Sequence, residues 1–204
     1  MLKYVLSVFP ILYRTTKTTT NISLNLNLNL NPLSYDRGFF CIVVSYTIKC
    51  NSLVDNGFFI APASTKYHGN YAGGLFDHSM NVAEVLADLT EKLNLRWERP
   101  ESPWIIGFFH DLCKIDNYIL CPTEGGYDYN PKSLYKGHGD KSLMLLSSLL
   151  LLTEEEAACI RYHMGAFCKE SEWSDYTSAV HKFPNVLFTH TADMVAAHII
   201  EKGE

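Results

Sequence analysis

The stretch Phe108-Phe109-His110-Asp111-Leu112-Cys113-Lys114 decides the reading of this chain. An apolar run with helical character ends in a histidine directly followed by an aspartate. On a helix of 3.6 residues per turn, consecutive side chains sit about 100° apart, so an imidazole nitrogen and a carboxylate oxygen can both reach one cation in the groove beside that helix. A carboxylate placed in so apolar a segment also needs a counter-charge, because an unpaired buried charge is expensive.

The pair does not stand alone. His78 precedes it, and His138, His163 and Asp193 follow in order, each within or beside a separate helical segment. His138 is bracketed by Gly137 and Gly139, an arrangement that packing alone does not explain. Histidines and aspartates brought together from several helices are how a helical bundle builds a buried metal site.

This ordered set resembles the HD-domain metal-dependent phosphohydrolases, whose pattern is His, then His-Asp, then Asp, often with two further histidines between. The resemblance runs from near Phe58 to the C-terminus. It implies that His78, in Gly73-Gly74-Leu75-Phe76-Asp77-His78-Ser79, is the first histidine, and that Asp193 is the closing aspartate. His138 and His163 fall where two-metal members place their extra ligands, and Lys114 stands where a lysine often follows the pair. Many members read His-Asp-Ile-Gly-Lys; Leu112-Cys113 fill the middle here and put a thiol beside the site. The Gly-Gly-Leu-x-x-His-Ser stretch most resembles the HD domains of 3′–5′ exoribonucleases. By the same resemblance, Asp111 bridges metals and orients the nucleophile.

Residues 1–50 have a different character. Residues 15–20 are rich in threonine, and residues 21–31 alternate Leu and Asn, a compositionally biased repeat that has the period of a strand without strand-forming residues. A low-complexity extension over 1–50, dispensable for catalysis, and an HD domain over 51–204 are expected. Within the latter, Val82, Val85, Leu86, Leu89 and Leu93 form a helical stripe over residues 79–95. A second helix is expected over 104–115 after Pro103, a long loop over 122–131, and a third helix over 141–152. Thr153-Glu154-Glu155-Glu156 is a capping box that opens a fourth helix carrying His163. Further helices are expected at 175–183 and 186–202. The fold class is all-α, an HD-domain-like helical bundle.

Composition narrows the function. At 204 residues the chain suits one domain with a full core. A net charge of −5 argues against a broad basic surface for duplex nucleic acid, yet leaves room for a small phosphorylated substrate beside a bound dication. No apolar run approaches the ~20 residues that span a bilayer, and residues 1–13 have no small-x-small cleavage signal. Six cysteines without a CxxC pair fit reduced thiols in a cytoplasm. Cys113 reads first as a small buried hydrophobe, with a soft ligand or redox-sensitive thiol as the alternative.

The ligand set of nitrogen and oxygen suits one or two divalent ions among Mn, Fe, Co, Ni and Zn. The expected reaction is attack of a metal-activated water on a phosphoester, with the nucleotide or nucleic-acid end left open and a small nucleotide favoured. Asp111 and Lys114 are the expected catalytic groups. Lys114, His68, Arg161 and Lys141 are the candidate substrate binders, and Asp140 a candidate acceptor that orients a histidine. Two rivals differ in class: a nucleotide sensor that binds without turnover, and an HD oxygenase that uses a di-iron pair.

Overall fold

A computed structural model describes residues 56–121 and 126–202. The expected extension over 1–50 lies outside the described residues. The described part is helical, as its periodicity predicts: α1 (Gly74–Leu93), α2 (Ser102–Phe109), α3 (His138–Ser147), α4 (Glu154–Tyr162), α5 (Trp173–Lys182) and α6 (Asn185–Val195). Short 3-10 turns lie at Leu112–Ile115, Gly165–Phe167 and Glu170–Glu172, and a π-helical turn, Ala196–Ile200, continues α6.

The core follows the apolar spacing. Val82 and Leu86 of α1 are fully buried against Ile105 and Ile106 of α2, with Phe58, Leu75, Leu146 and Ile160 around them. Each such side chain stabilises the fold by roughly 1.5–3 kcal/mol relative to an exposed one. Leu93, the last residue of the predicted stripe, is exposed.

Two close approaches set the geometry of what lies between the helices. A Cβ on Gly107 would stand 2.4 Å from the Cα of Ala83, so only glycine lets α2 lie this near α1. A Cβ on Gly139 would stand 1.9 Å from the carbonyl oxygen of Arg161, so α3 lies equally near α4. α4 starts at the predicted capping box: the Thr153 hydroxyl accepts from the Glu156 amide at 3.1 Å, and the Glu156 carboxylate accepts from the Thr153 amide at 3.0 Å.

Several boundaries differ from expectation for local reasons. α1 begins five residues early, which places His78 inside it rather than ahead of it. The helix expected over 104–115 stops at Phe109; Asp111 has φ −105° and ψ 24°, and a 3-10 turn follows. The His-Asp pair therefore sits at a break between two helical pieces, not along one α-helix. α3 begins at His138 and ends at Ser147, where the Ser148 hydroxyl donates to the Leu145 carbonyl instead of the helix continuing. Part of the expected loop is a hairpin, with β1 (Tyr118–Leu120) antiparallel to β2 (Tyr127–Tyr129) and Tyr118 opposite Tyr129. Among the described residues, no helix is long and apolar enough to cross a membrane.

Candidate metal centre

Two histidines are placed by the same local device. His110 caps the C-terminus of α2 and His163 that of α4, where the last carbonyls lack helical partners. The His110 Nδ1–H donates to the Gly107 carbonyl at 2.8 Å, and the His163 Nδ1–H donates to the Ile160 carbonyl at 2.8 Å. A carbonyl only accepts, so each ring carries its proton on Nδ1 and turns an Nε2 lone pair inward. His78 is oriented differently. Its Nδ1 lies 3.0 Å from Glu201 Oε1, and Asn81 donates to that same oxygen at 2.9 Å. The Nε2 atoms of His78, His110 and His163 are buried and have no hydrogen-bond partner.

These nitrogens converge on Asp111, which is 3 % exposed. Its two oxygens face two sets of groups. On the Oδ2 side stand His110 Nε2 at 3.4 Å and His78 Nε2 at 3.8 Å. Asp193 Oδ1 completes that side, 3.2 Å from His78 Nε2, without hydrogen-bond alignment, and 3.9 Å from His110 Nε2. On the Oδ1 side stand His138 Nδ1 at 3.2 Å, His163 Nε2 at 3.5 Å and the Cys113 sulfur at 3.9 Å. Donor atoms of His78, His110 and Asp111 lie within 4.8 Å of one another, as do those of His110, His163 and Asp193, and those of Asp111, Cys113 and His138. All six expected ligands thus meet in one place.

The expected counter-charge for Asp111 is present in the chain itself: Lys114 Nζ lies 2.6 Å from Oδ2. That pair accounts for a buried carboxylate. It does not account for three buried imidazole nitrogens with nothing to bind, because a lysine ammonium on Asp111 supplies them no donor. Cation binding in the groups His78–His110–Asp111 and His110–His163–Asp193 would satisfy them, and buried His/Asp clusters of this composition can hold an ion.

The electrostatics show strong mutual dependence. Burial alone would raise the Asp111 carboxyl, but Lys114 and His110 hold it well below the ordinary carboxylate range. Burial likewise opposes Lys114, and Asp111 overcomes it, keeping the ammonium above its usual value. Burial would lower His78, whereas Asp193 and Glu201 raise it to about 9. The Asp111 contact raises His138 to about 10. Burial also works against the Asp193 carboxylate, which His78 nonetheless holds below its ordinary value. At neutral pH His78 and His138 are therefore cationic in this arrangement.

A cleft of about 170 Å³ opens above the centre. His68, Lys114 and His138 line it on the polar side, and Met164, Phe167 and Met194 on the apolar side. His68 packs against His78 with ring centroids 4.7 Å apart and the planes tilted by 37°, and its Nε2 is buried without a partner. Burial and the neighbouring His78 push the His68 ring down to about 4, so it is neutral at neutral pH.

The other expected binders are engaged elsewhere. Lys141 is 3 % exposed and donates to Asn117 at 2.7 Å and Ser133 at 2.8 Å, besides pairing with Asp116. Arg161 pairs with Asp140 and lies over the Tyr162 ring, joining α3 to α4. Neither lines the cleft. Asp140 is thus held by Arg161, and Glu201 takes the orienting part expected of it. Glu201 escaped sequence reasoning because it lies 123 positions from His78 and no motif marks it. His190 lines the cleft too, and its Nδ1–H donates to the His163 carbonyl at 2.9 Å. The one signal for it was its place three residues before Asp193.

Scans against protein-family models, curated proteins and solved structures return no match.

Proposed function

We propose that this protein is a metal-dependent phosphohydrolase or phosphodiesterase of the HD type, acting on a small nucleotide. One observation carries the reading: three buried, unpartnered imidazole nitrogens are arranged around the two oxygens of a single buried aspartate. That donor set suits Mn²⁺, Fe²⁺, Co²⁺, Ni²⁺ or Zn²⁺ in one or two positions. When bound, such cations supply an activated water at neutral pH and offset charge on phosphoryl oxygens.

The chain's own groups complete the chemistry. Asp111 holds the two sides of the site in fixed relation through its two oxygens. Lys114 keeps Asp111 ionised and presents its ammonium to the cleft, where a phosphoryl group gathers negative charge. His68, neutral and with a free Nε2, is placed to hydrogen-bond a substrate oxygen. Met164, Phe167 and Met194 form the wall against which a base can lie. The cleft lining, with Phe167 as its one phenyl ring and Lys114 as its one lysine, favours a small substrate over a strand, whose binding needs a basic groove and successive stacking aromatics.

A panel of metals against nucleotides, cyclic nucleotides, simple phosphodiesters and end-labelled RNA tests the reading. Turnover of mononucleotides or cyclic nucleotides should exceed that of RNA of ~10 or more nucleotides. Progressive 3′–5′ shortening of RNA with nucleotides untouched would replace the small-substrate reading. Tight nucleotide binding with no turnover under any metal would make the protein a sensor.

A further inference from the structure

Cys113 is the residue at the centre that the hydrolase reading does not use. It is fully buried, and its backbone amide donates to the Ser142 hydroxyl at 3.0 Å, which fixes the 3-10 turn that carries it. Its sulfur lies 3.8 Å from His138 Nδ1 and 3.9 Å from Asp111 Oδ1. At those distances a thiol makes only weak hydrogen bonds, so neither contact explains why a sulfur stands there. The same Asp111 oxygen is approached by His138 Nδ1 at 3.2 Å and by His163 Nε2 at 3.5 Å. That last nitrogen is wholly buried and lacks any partner, an independent sign of a missing ligand at this spot.

We propose that Cys113 is a thiolate ligand of the metal position on the Asp111 Oδ1 side, which makes that position selective for a thiophilic cation, Zn²⁺ or Co²⁺, over Mn²⁺ or Mg²⁺. Tetrahedral ligation with bonds of about 2.0–2.3 Å separates its ligand atoms by roughly 3.2–3.6 Å. Among Asp111 Oδ1, His138 Nδ1 and the Cys113 sulfur, the three separations of 3.2, 3.8 and 3.9 Å meet that requirement after a shift of a few tenths of an ångström at the sulfur, and these atoms form one of the groups within 4.8 Å of one another. The three groups are one sulfur, one imidazole nitrogen and one carboxylate oxygen. Ligation releases the thiol proton to solvent, and the partly exposed His138 leaves a route for exchange. The Oδ2 side, built from His78, His110 and Asp193, keeps nitrogen and oxygen donors and stays tolerant of Mn²⁺.

The proposal rests on the metal reading of the site, and one titration separates their failures. The full chain, stripped with chelator, is titrated with Co²⁺ and followed by absorption. Visible d–d bands report cobalt at either position. A near-ultraviolet thiolate-to-cobalt charge-transfer band reports sulfur ligation. That band should grow with only one of the bound equivalents and be lost in Cys113→Ser. Cobalt bound without the band, or a band that survives in Cys113→Ser, overturns the thiolate ligand and leaves the metal site standing. No cobalt binding overturns both. Should Cys113→Ser fail to fold, X-ray absorption on the zinc-loaded native protein decides: a sulfur scatterer at about 2.3 Å supports the ligand, and a purely nitrogen/oxygen shell contradicts it.

Discussion

The two halves of the site are built alike and finished differently. In each, a glycine allows two helices to touch, and a histidine at a helix C-terminus folds its Nδ1–H back on a carbonyl three residues earlier. The Oδ2 half is the more closed: His78 and His110 are fully buried, Glu201 clamps His78 from behind, and Asp193 reaches the cleft. The Oδ1 half is open: His138 has a side chain 37 % exposed, at the rim of the cleft. A repeated local device can therefore give two positions of unequal tightness, with the difference set by what lies behind the ligands. The closed half should hold its cation tightly and exchange it slowly, and the open half should exchange first.

Removing the shared member should have the largest effect. Asp111→Ala removes the carboxylate that both halves share and leaves the buried Lys114 ammonium unpaired, costing about 3–5 kcal/mol of stability. Denaturant unfolding and assay should show a destabilised, inactive protein. A variant of near-native stability would mean that Lys114 relaxes to solvent and that the pair is not the anchor described.

Removing a member of one half should separate them. His78→Ala should lose the tightly held cation and activity together. His138→Ala should lower metal content by about one equivalent and leave the other ion bound. Retention of the slowly exchanging ion in His78→Ala, or its loss in His138→Ala, would break the distinction between the halves.

Proton competition sharpens the contrast. His78 at about 9 and His138 at about 10 both lie above the ordinary 6.5. Their protonated contacts stabilise the metal-free fold fully below 6.5, and this contribution is lost as pH rises through 9 to 10. The Asp111 and Asp193 carboxylates, held low, act in the opposite sense, stabilising above their ordinary range and losing that in acid. Chelated protein should therefore melt at lower temperature at pH 10 than at pH 7. Metal-loaded protein should not, since cations replace the protons, and metal affinity should climb across the same range. Metal affinity that is flat from pH 6 to 10 would contradict these assignments.

Glu201→Gln tests the clamp. It keeps the shape and removes the charge behind His78, so affinity for the tighter ion should fall by roughly 10–100-fold with the fold intact. The smallest effect belongs to Arg161→Ala. Its guanidinium joins Asp140 across helices rather than facing the cleft, so KM should not move and stability should change by about 1 kcal/mol or less.

What was legible in the sequence was what is chemically rare or strictly local. The six histidines and aspartates that the fold brings together, the Thr153–Glu156 capping box and the Asp111–Lys114 spacing depend on residue identity and short range. The break after Phe109 was hidden because apolar Leu112, Cys113 and Ile115 resume just past His110-Asp111, so periodicity alone extends the helix. Glu201 was hidden because its role exists only once the π-turn folds back on α1. Lys141 looked available because its partners, Asp116, Asn117 and Ser133, are supplied by a segment whose course no pattern fixes.

The central claim is that Asp111 joins two cation positions, and metal content per chain tests it most directly. Protein expressed with added metal and desalted should carry about two equivalents, falling to about one in His138→Ala and to near none in Asp111→Ala. Less than about a tenth of an equivalent in the native protein would contradict the claim and leave the Lys114 ion pair as the whole purpose of Asp111.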